Sequence, residues 1–413
     1  MEIRKVILTT KGMSEVLFTW IMLSGCVQNN TLSPPARNDE AIGVMVKLLR
    51  ITSTRSGAEP QKRINGQTAI VANGYLYLTS MNGTILSYRK IDKDAETSEG
   101  SIISLKELQT TGVVIAETPS DAVYCHVYLN VPAELNEGRM AKSSGSISSI
   151  ENLLISTSDI YDENEGIGNV PLRGVSELKP SSNALYRAEA NIVMTLLAAR
   201  IEVAKITTVA SKILSYDGKP YEITGFKMAG IFINNFFGNS RLNGQPSTLI
   251  FHNEEEDFIG TESPNSPYKD YMEMFIYSNL SSGLPHNSAD APNIYTPPAG
   301  KDVWAYNVFP NDIDDLRTTA YLPRIIIRFA ELTYRPLGNT GEGTTINDCF
   351  ITISGFSSKG GELQFLQKGW IYYFSDVAFS LDNVSNHPDD SYININVAML
   401  PIDWYVEDIS PEL

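Results

Sequence analysis

Apolar residues along this chain fall into short alternating or continuous runs, bounded by Asn, Gly, Asp and Ser. Near the front, Ala41-Ile42-Gly43-Val44-Met45-Val46-Lys47-Leu48-Leu49 places Ile42, Val44, Val46 and Leu48 on one face of a strand, because strand side chains alternate. Ala69-Ile70-Val71-Ala72 and Tyr75-Leu76-Tyr77-Leu78 flank Asn73-Gly74, and Thr84-Ile85-Leu86-Ser87-Tyr88 follows Asn82-Gly83. Both Asn-Gly pairs predict tight hairpins, since these residues tolerate the positive φ of a two-residue turn. Further short strands are expected within 112–116 and 123–131. Residues 143–168, polar around Leu153-Leu154-Ile155, predict a surface loop holding one strand or helical turn.

The run 188–206 predicts a strand pair, or one long buried strand, that closes a first domain. Its helix propensity is fair, but Ile201 and Val203 alternate at its end. Residues 221–237, centred on Ile231-Phe232-Ile233, open a second β-rich domain. An acidic, loop-rich stretch covers 253–298. Strands are expected again at 303–308, 324–329, 350–353, 369–374 and 392–397, the last alternating strictly. Short strands at roughly 8–12-residue spacing with Gly and Asn turns predict an all-β chain built of β-sandwiches.

Ahead of the first strand, Arg4, Lys5 and Lys11 precede a short apolar core at 16–23. That core is far below the ~20 apolar residues of a membrane-spanning helix, so a signal peptide is expected over 1–25, although Glu15 beside it is unusual. Leu23-Ser24-Gly25-Cys26 has the pattern of a lipid-attachment site. Acyl chains on Cys26, at ~0.8 kcal/mol per buried CH₂, would tie an exported lipoprotein to a membrane. A polar spacer spans 26–40. Behind the strand stand Arg50, Arg55, Lys62 and Arg63 in a small-residue setting. Proteolytic processing is expected first at Arg55, with Arg50 and Arg63 as alternatives, because the segment is small and polar. Plain surface charge is the other reading of all three.

The formal charge of −16 argues against nucleic acid and anionic lipid as partners. Cys125 and Cys349 build neither a disulfide framework nor zinc spacing, and are expected as two isolated buried thiols. His126, His252, His286 and His387 lie outside metal-ligand spacing, and His126 should diverge from Cys125 because neighbours on a strand face opposite ways. Gly-x-Ser-x-Gly, phosphate-binding and paired-glycine cofactor motifs are missing. The acidic clusters 254–257, 159–165 and 312–315 lack the twelve-residue calcium loop and are expected as solvated faces. Tyr161, Tyr268 and Tyr271 are expected in packing. The residues therefore predict no enzyme, no cofactor and no metal; a glycan-binding surface lipoprotein, using aromatics of 253–298, is the alternative reading.

Several of these pieces, in this order, resemble the fimbrillins, or type V pilins. Gly43-Val44-Met45-Val46-Lys47-Leu48 with Ser53-Thr54-Arg55 is similar to that family's first strand and basic cleavage loop. Ala199-Arg200-Ile201-Glu202-Val203 resembles the close of its first domain, and 225–235 the start of its second. Residues 368–374, 394–397 and Asp403-Trp404 resemble its C-terminal part. The resemblance implies two Greek-key β-sandwich domains in tandem with transthyretin-like topology, here 56–207 and 208–413. It implies an outer-membrane lipoprotein precursor whose first strand and cleavage loop, 41–55, are removed by an arginine- or lysine-specific protease. A strand from the next subunit then fills the groove. The implied partners are other fimbrial subunits, that protease and a host or bacterial surface receptor. Four groove residues at ~1.5–3 kcal/mol each would contribute roughly 6–12 kcal/mol before entropy costs. The tail 404–413, the candidate donor, carries Asp408 and Pro411 and reads as a poor strand, which leaves stalk and tip or accessory positions both open.

Overall fold

The computed structural model describes residues 43–49, 68–136, 138–160, 170–183, 185–250, 294–295, 303–358, 360–387, 392–396, 398–401 and 403–405. Among these the fold is all-β, and the α-helices are single turns such as Leu105–Gln109. A six-stranded sheet runs in the order Thr195–Leu196, Leu172–Glu177, Tyr124–Leu129, Gly74–Thr79, Ile85–Asp92, Ile102–Ser104. A four-stranded sheet runs Lys179–Pro180, Ala188–Val193, Val44–Leu49, Val113–Ile115. Buried side chains of both sheets, Val46, Leu48, Ile192, Leu76 and Val127 among them, form one apolar cluster. Where the two sheets approach, Gly174 leaves the room; a Cβ there would lie 2.6 Å from Met194 Sδ. Met140, Ile147 and Ile150, from the chain after the Tyr124–Leu129 strand, join the same cluster. The Tyr77 hydroxyl donates to the Met140 carbonyl, and every residue of Gly74–Thr79 is buried.

A second apolar cluster gathers Ile201, Met228, Ile231, Trp304, Ile327, Phe329, Ile351, Phe356 and Phe374. Tyr221–Asn234, Arg324–Pro336 and Thr344–Ser358 form long antiparallel neighbours, and Tyr392–Asn396 adds in parallel to the last. Trp304–Val308, Ala199–Val203, Trp370–Phe374 and Ala398–Pro401 make a four-stranded sheet. Strands are present at the expected 303–308, 324–329, 350–353 and 369–374, and the expected 392–397 strand is seen as Tyr392–Asn396, Val397 lying outside the described residues. Two ladders link regions far apart in sequence. Leu154–Ser156 pairs with Phe236–Arg241, and Thr68–Ile70 pairs in parallel with Asp403–Tyr405.

Two expectations fail locally. Asn82-Gly83 makes the predicted hairpin between Gly74–Thr79 and Ile85–Asp92, with Gly83 at φ +80°. Asn73-Gly74 does not: Thr68–Ile70 leaves for the Asp403–Tyr405 strand, and Gly74–Thr79 pairs with Ile85–Asp92 and Tyr124–Leu129. Gly74 serves close approach instead, since a Cβ would collide with the Tyr128 carbonyl and lie 2.7 Å from Leu129 Cδ2. The run 188–206 is neither a strand pair nor one strand. Ala188–Val193, Thr195–Leu196, Ala199–Val203 and Ile206–Thr208 lie in four different sheets. The chain passes from one apolar cluster to the other here and changes sheet at each short strand, so no single period runs through it.

Candidate functional site: the first strand and its slot

Val44–Leu49 is an interior strand. On one side it pairs in parallel with Ala188–Val193 over all six positions, from Val44 opposite Ala188 to Leu49 opposite Val193. On the other it pairs antiparallel with Val113–Ile115, from Val44 opposite Ile115 to Val46 opposite Val113. Val44 and Val46 are fully buried and Leu48 is 1% exposed, whereas Met45 and Lys47 are half-buried and Leu49 is exposed. That alternation is the predicted one.

The seat is shaped by glycines and a helical turn. Gly112 has φ +81°, and a Cβ there would lie 2.8 Å from Met45 Sδ and 3.0 Å from the Val46 carbonyl oxygen. Only glycine lets the backbone come this near the first strand. At the strand's start, a Cβ on Gly43 would lie 2.7 Å from Val114 Cγ1. Leu105–Gln109 precedes Gly112 with Leu105 and Leu108 fully buried; Ser104 caps it by accepting from the Glu107 N–H. The Gly112 N–H donates to the Glu107 carbonyl at 2.8 Å, which fixes the turn into Val113–Ile115. The Arg187 N–H donates to the Gly43 carbonyl at 3.0 Å.

Of the residues predicted from sequence, Val44, Val46 and Leu48 share one buried face. Ile42, the lipidation candidate Cys26 and the processing candidates Arg50, Arg55 and Arg63 lie outside the described residues. So do Tyr161, Tyr268, Tyr271 and most of 253–298. Strands were expected within 112–116 and 188–206, but sequence reasoning missed that they border the first strand, and missed the roles of Gly112 and Arg187. The border strands are distant in sequence, and parallel pairing leaves no local signature; a glycine just before Val113-Val114-Ile115 was the one available cue.

Elsewhere, several buried polar or titratable groups have defined surroundings. Cys125 is fully buried and desolvation raises its thiol, while burial, followed by the charge of Asp348, pushes Cys349 up to about 12. His126 Nε2 lies 3.2 Å from Thr79 Oγ1, and its Nδ1 is 3.9 Å from Glu151 Oε1. Burial is the main cause that lowers its pKa to about 4. Arg173 pairs with Glu151 at 2.5 Å. Arg200, 1% exposed, donates from Nε to Glu202 Oε1 at 2.6 Å, and Glu202 is fully buried. Within the acidic clusters, Asp159 accepts from Ser156, with 161–165 outside the described residues, and Asp312 and Asp314 pair with Arg317 at a solvent-exposed face.

No protein-family profile matches the sequence, and no curated protein is similar to it at a significant level. Solved structures do resemble it. A fimbrilin from Porphyromonas gingivalis W83 is 13% identical, with a TM-score of 0.47 over 89% of this chain and 99% of that one. A candidate cell adhesion protein from Parabacteroides distasonis ATCC 8503 is 15% identical, with a TM-score of 0.48 over 88% and 99%. The tip fimbrial protein of Porphyromonas gingivalis, truncated at its C-terminus, is 8% identical, with a TM-score of 0.38 over 88% and 99%. Fimbrial and cell-adhesion proteins are among the solved structures to which this chain is similar.

Proposed function

We propose that this chain is a structural subunit of a cell-surface fimbria that accepts a strand from another subunit. The observation that carries the reading is the position of Val44–Leu49. It is interior to its sheet, its apolar face is buried, and both bordering strands come from far downstream. Its covalent link to the rest runs only through 50–67, which contains Arg50, Arg55, Lys62 and Arg63. One cut there turns the strand into a ligand held by backbone ladders and three buried side chains. Their burial is worth roughly 5–9 kcal/mol before entropy costs. Loss of the fragment leaves two unpaired strand edges around an apolar floor, a template for strand addition.

In this reading residues 1–25 direct export, Cys26 carries lipid, and 26–40 space the strand from the membrane. An arginine- or lysine-specific protease cuts at Arg55, with Arg50 and Arg63 next in order. Residues 56–207 and 208–413 are two sandwich domains, and the processed chain joins other subunits at the cell surface. Donation by the tail requires Asp403–Tyr405 to leave Thr68–Ile70, its partner in the single chain. A subunit that keeps this pairing accepts a strand without passing one on, as expected of a tip or accessory position. N-terminal sequencing of the mature surface form tests the reading. A start within 51–64 is expected; a mature form that still contains 44–49 contradicts it.

A further inference from the structure

The strands bordering Val44–Leu49 are joined a second time, by a side chain outside the removable segment. Arg187 immediately precedes Ala188–Val193, and its guanidinium reaches the chain that follows the opposite border. Nη1 donates to the Ser120 carbonyl at 3.2 Å, and Nη2 donates to the Thr118 carbonyl at 3.4 Å and to the Pro119 carbonyl. The segment that carries them is tied back to Ile115 and turned on itself. The Thr118 hydroxyl donates to the Ile115 carbonyl at 2.8 Å, the Ala122 N–H donates to the Pro119 carbonyl at 3.1 Å, and Glu117 turns the chain with φ +52°.

The other end of the slot is held by main chain. Ala188–Val193 runs on into Thr195–Leu196, which pairs with Leu172–Glu177, and Gly112 is bonded back to the helical turn before it. Arg187 closes the end where the first strand begins. Two strands that flank a third stand roughly 9–10 Å apart. Without their middle member, their unpaired edges are free to splay or to pair wrongly.

We propose that Arg187 is the positioning residue of the emptied slot. Its guanidinium, forked over three carbonyls of 118–120, keeps Ala188–Val193 and Val113–Ile115 one strand-width apart after the first strand has left. The incoming strand then meets a preformed seat and does not bear the cost of ordering both walls. A planar fork of fixed donors suits the task, and a lysine ammonium does not reproduce it. This inference rests on the strand-accepting reading above.

The test uses the full chain, unchanged and as Arg187→Ala and Arg187→Lys, each cut by limited trypsin treatment. A fluorescent peptide of residues 41–49 is added in excess, and its binding is followed by polarisation. Uncut chains are expected to unfold within about 2 °C of one another, because the first strand's own ladders tie the walls while it is present. The cut unchanged chain should bind the peptide, Arg187→Ala at least about ten-fold more weakly and Arg187→Lys in between. Millimolar methylguanidinium should recover part of the loss in Arg187→Ala. Equal binding by all three cut chains overturns the inference and leaves the strand-accepting reading standing. Unfolding of the uncut variants makes Arg187 a general structural residue and also overturns it. Failure of the cut unchanged chain to bind overturns both.

Discussion

His126 shows how far burial moves one side chain. Desolvation lowers its pKa from 6.5 to about 4; Arg173 adds to that effect and Glu151 opposes it. An unfolded chain takes up this proton near 6.5, so between 6.5 and 4 the unfolded state binds more protons and stability falls as pH falls. The contribution is whole above 6.5 and lost through that window, on the order of 3 kcal/mol. Urea midpoints of the chain and of His126→Gln should therefore differ by a pH-dependent amount, shrinking in favour of the variant as pH approaches 4; a constant difference contradicts the assignment. Arg200 and Glu202 make a second residue-scale case. Both are buried and bonded at 2.6 Å, so Glu202→Ala removes the carboxylate that faces a buried guanidinium and should cost ~3–5 kcal/mol in chemical denaturation. Neither pairing was legible in the sequence. Arg200 and Glu202 were visible as a motif, but burial of both faces of Ala199–Val203 comes from elements remote in the chain.

At the scale of elements, periodicity was a faithful guide for the first strand and the first hairpin. Val44–Leu49 alternates in sequence and in burial, and Asn82-Gly83 turns as expected. Periodicity failed where the chain changes sheet or finds a partner remote in sequence. The run 188–206 crosses between two apolar clusters, and the edge beside Asn73-Gly74 is taken by the Asp403–Tyr405 strand from the far end of the chain. Pairing between such distant segments has no local signal. The alternation of the first strand gives a sharp contrast: Leu48→Ala should destabilise the uncut chain by ~2–5 kcal/mol. Lys47→Ala, on the wetter face, should change it by no more than ~0.5 kcal/mol. Equal effects would mean that the strand does not seat its apolar side as described.

For the whole molecule, the ladders seat the first strand between two strands from far downstream, and the proposed function requires that it can leave. The all-β class, the buried alternation and the position of Arg residues behind the first strand were all open to reading from the sequence. The identity of the slot's walls was not, because one wall pairs in parallel across residues that the sequence keeps far apart. The most direct test is amide hydrogen exchange in Ala188–Val193 and Val113–Ile115, measured before cleavage, after removal of the first strand, and after another strand is supplied. The expected result is slow exchange, then fast exchange along both borders, then slow exchange again. Protection that persists unchanged once residues 44–49 are gone would contradict a slot emptied and refilled by strands.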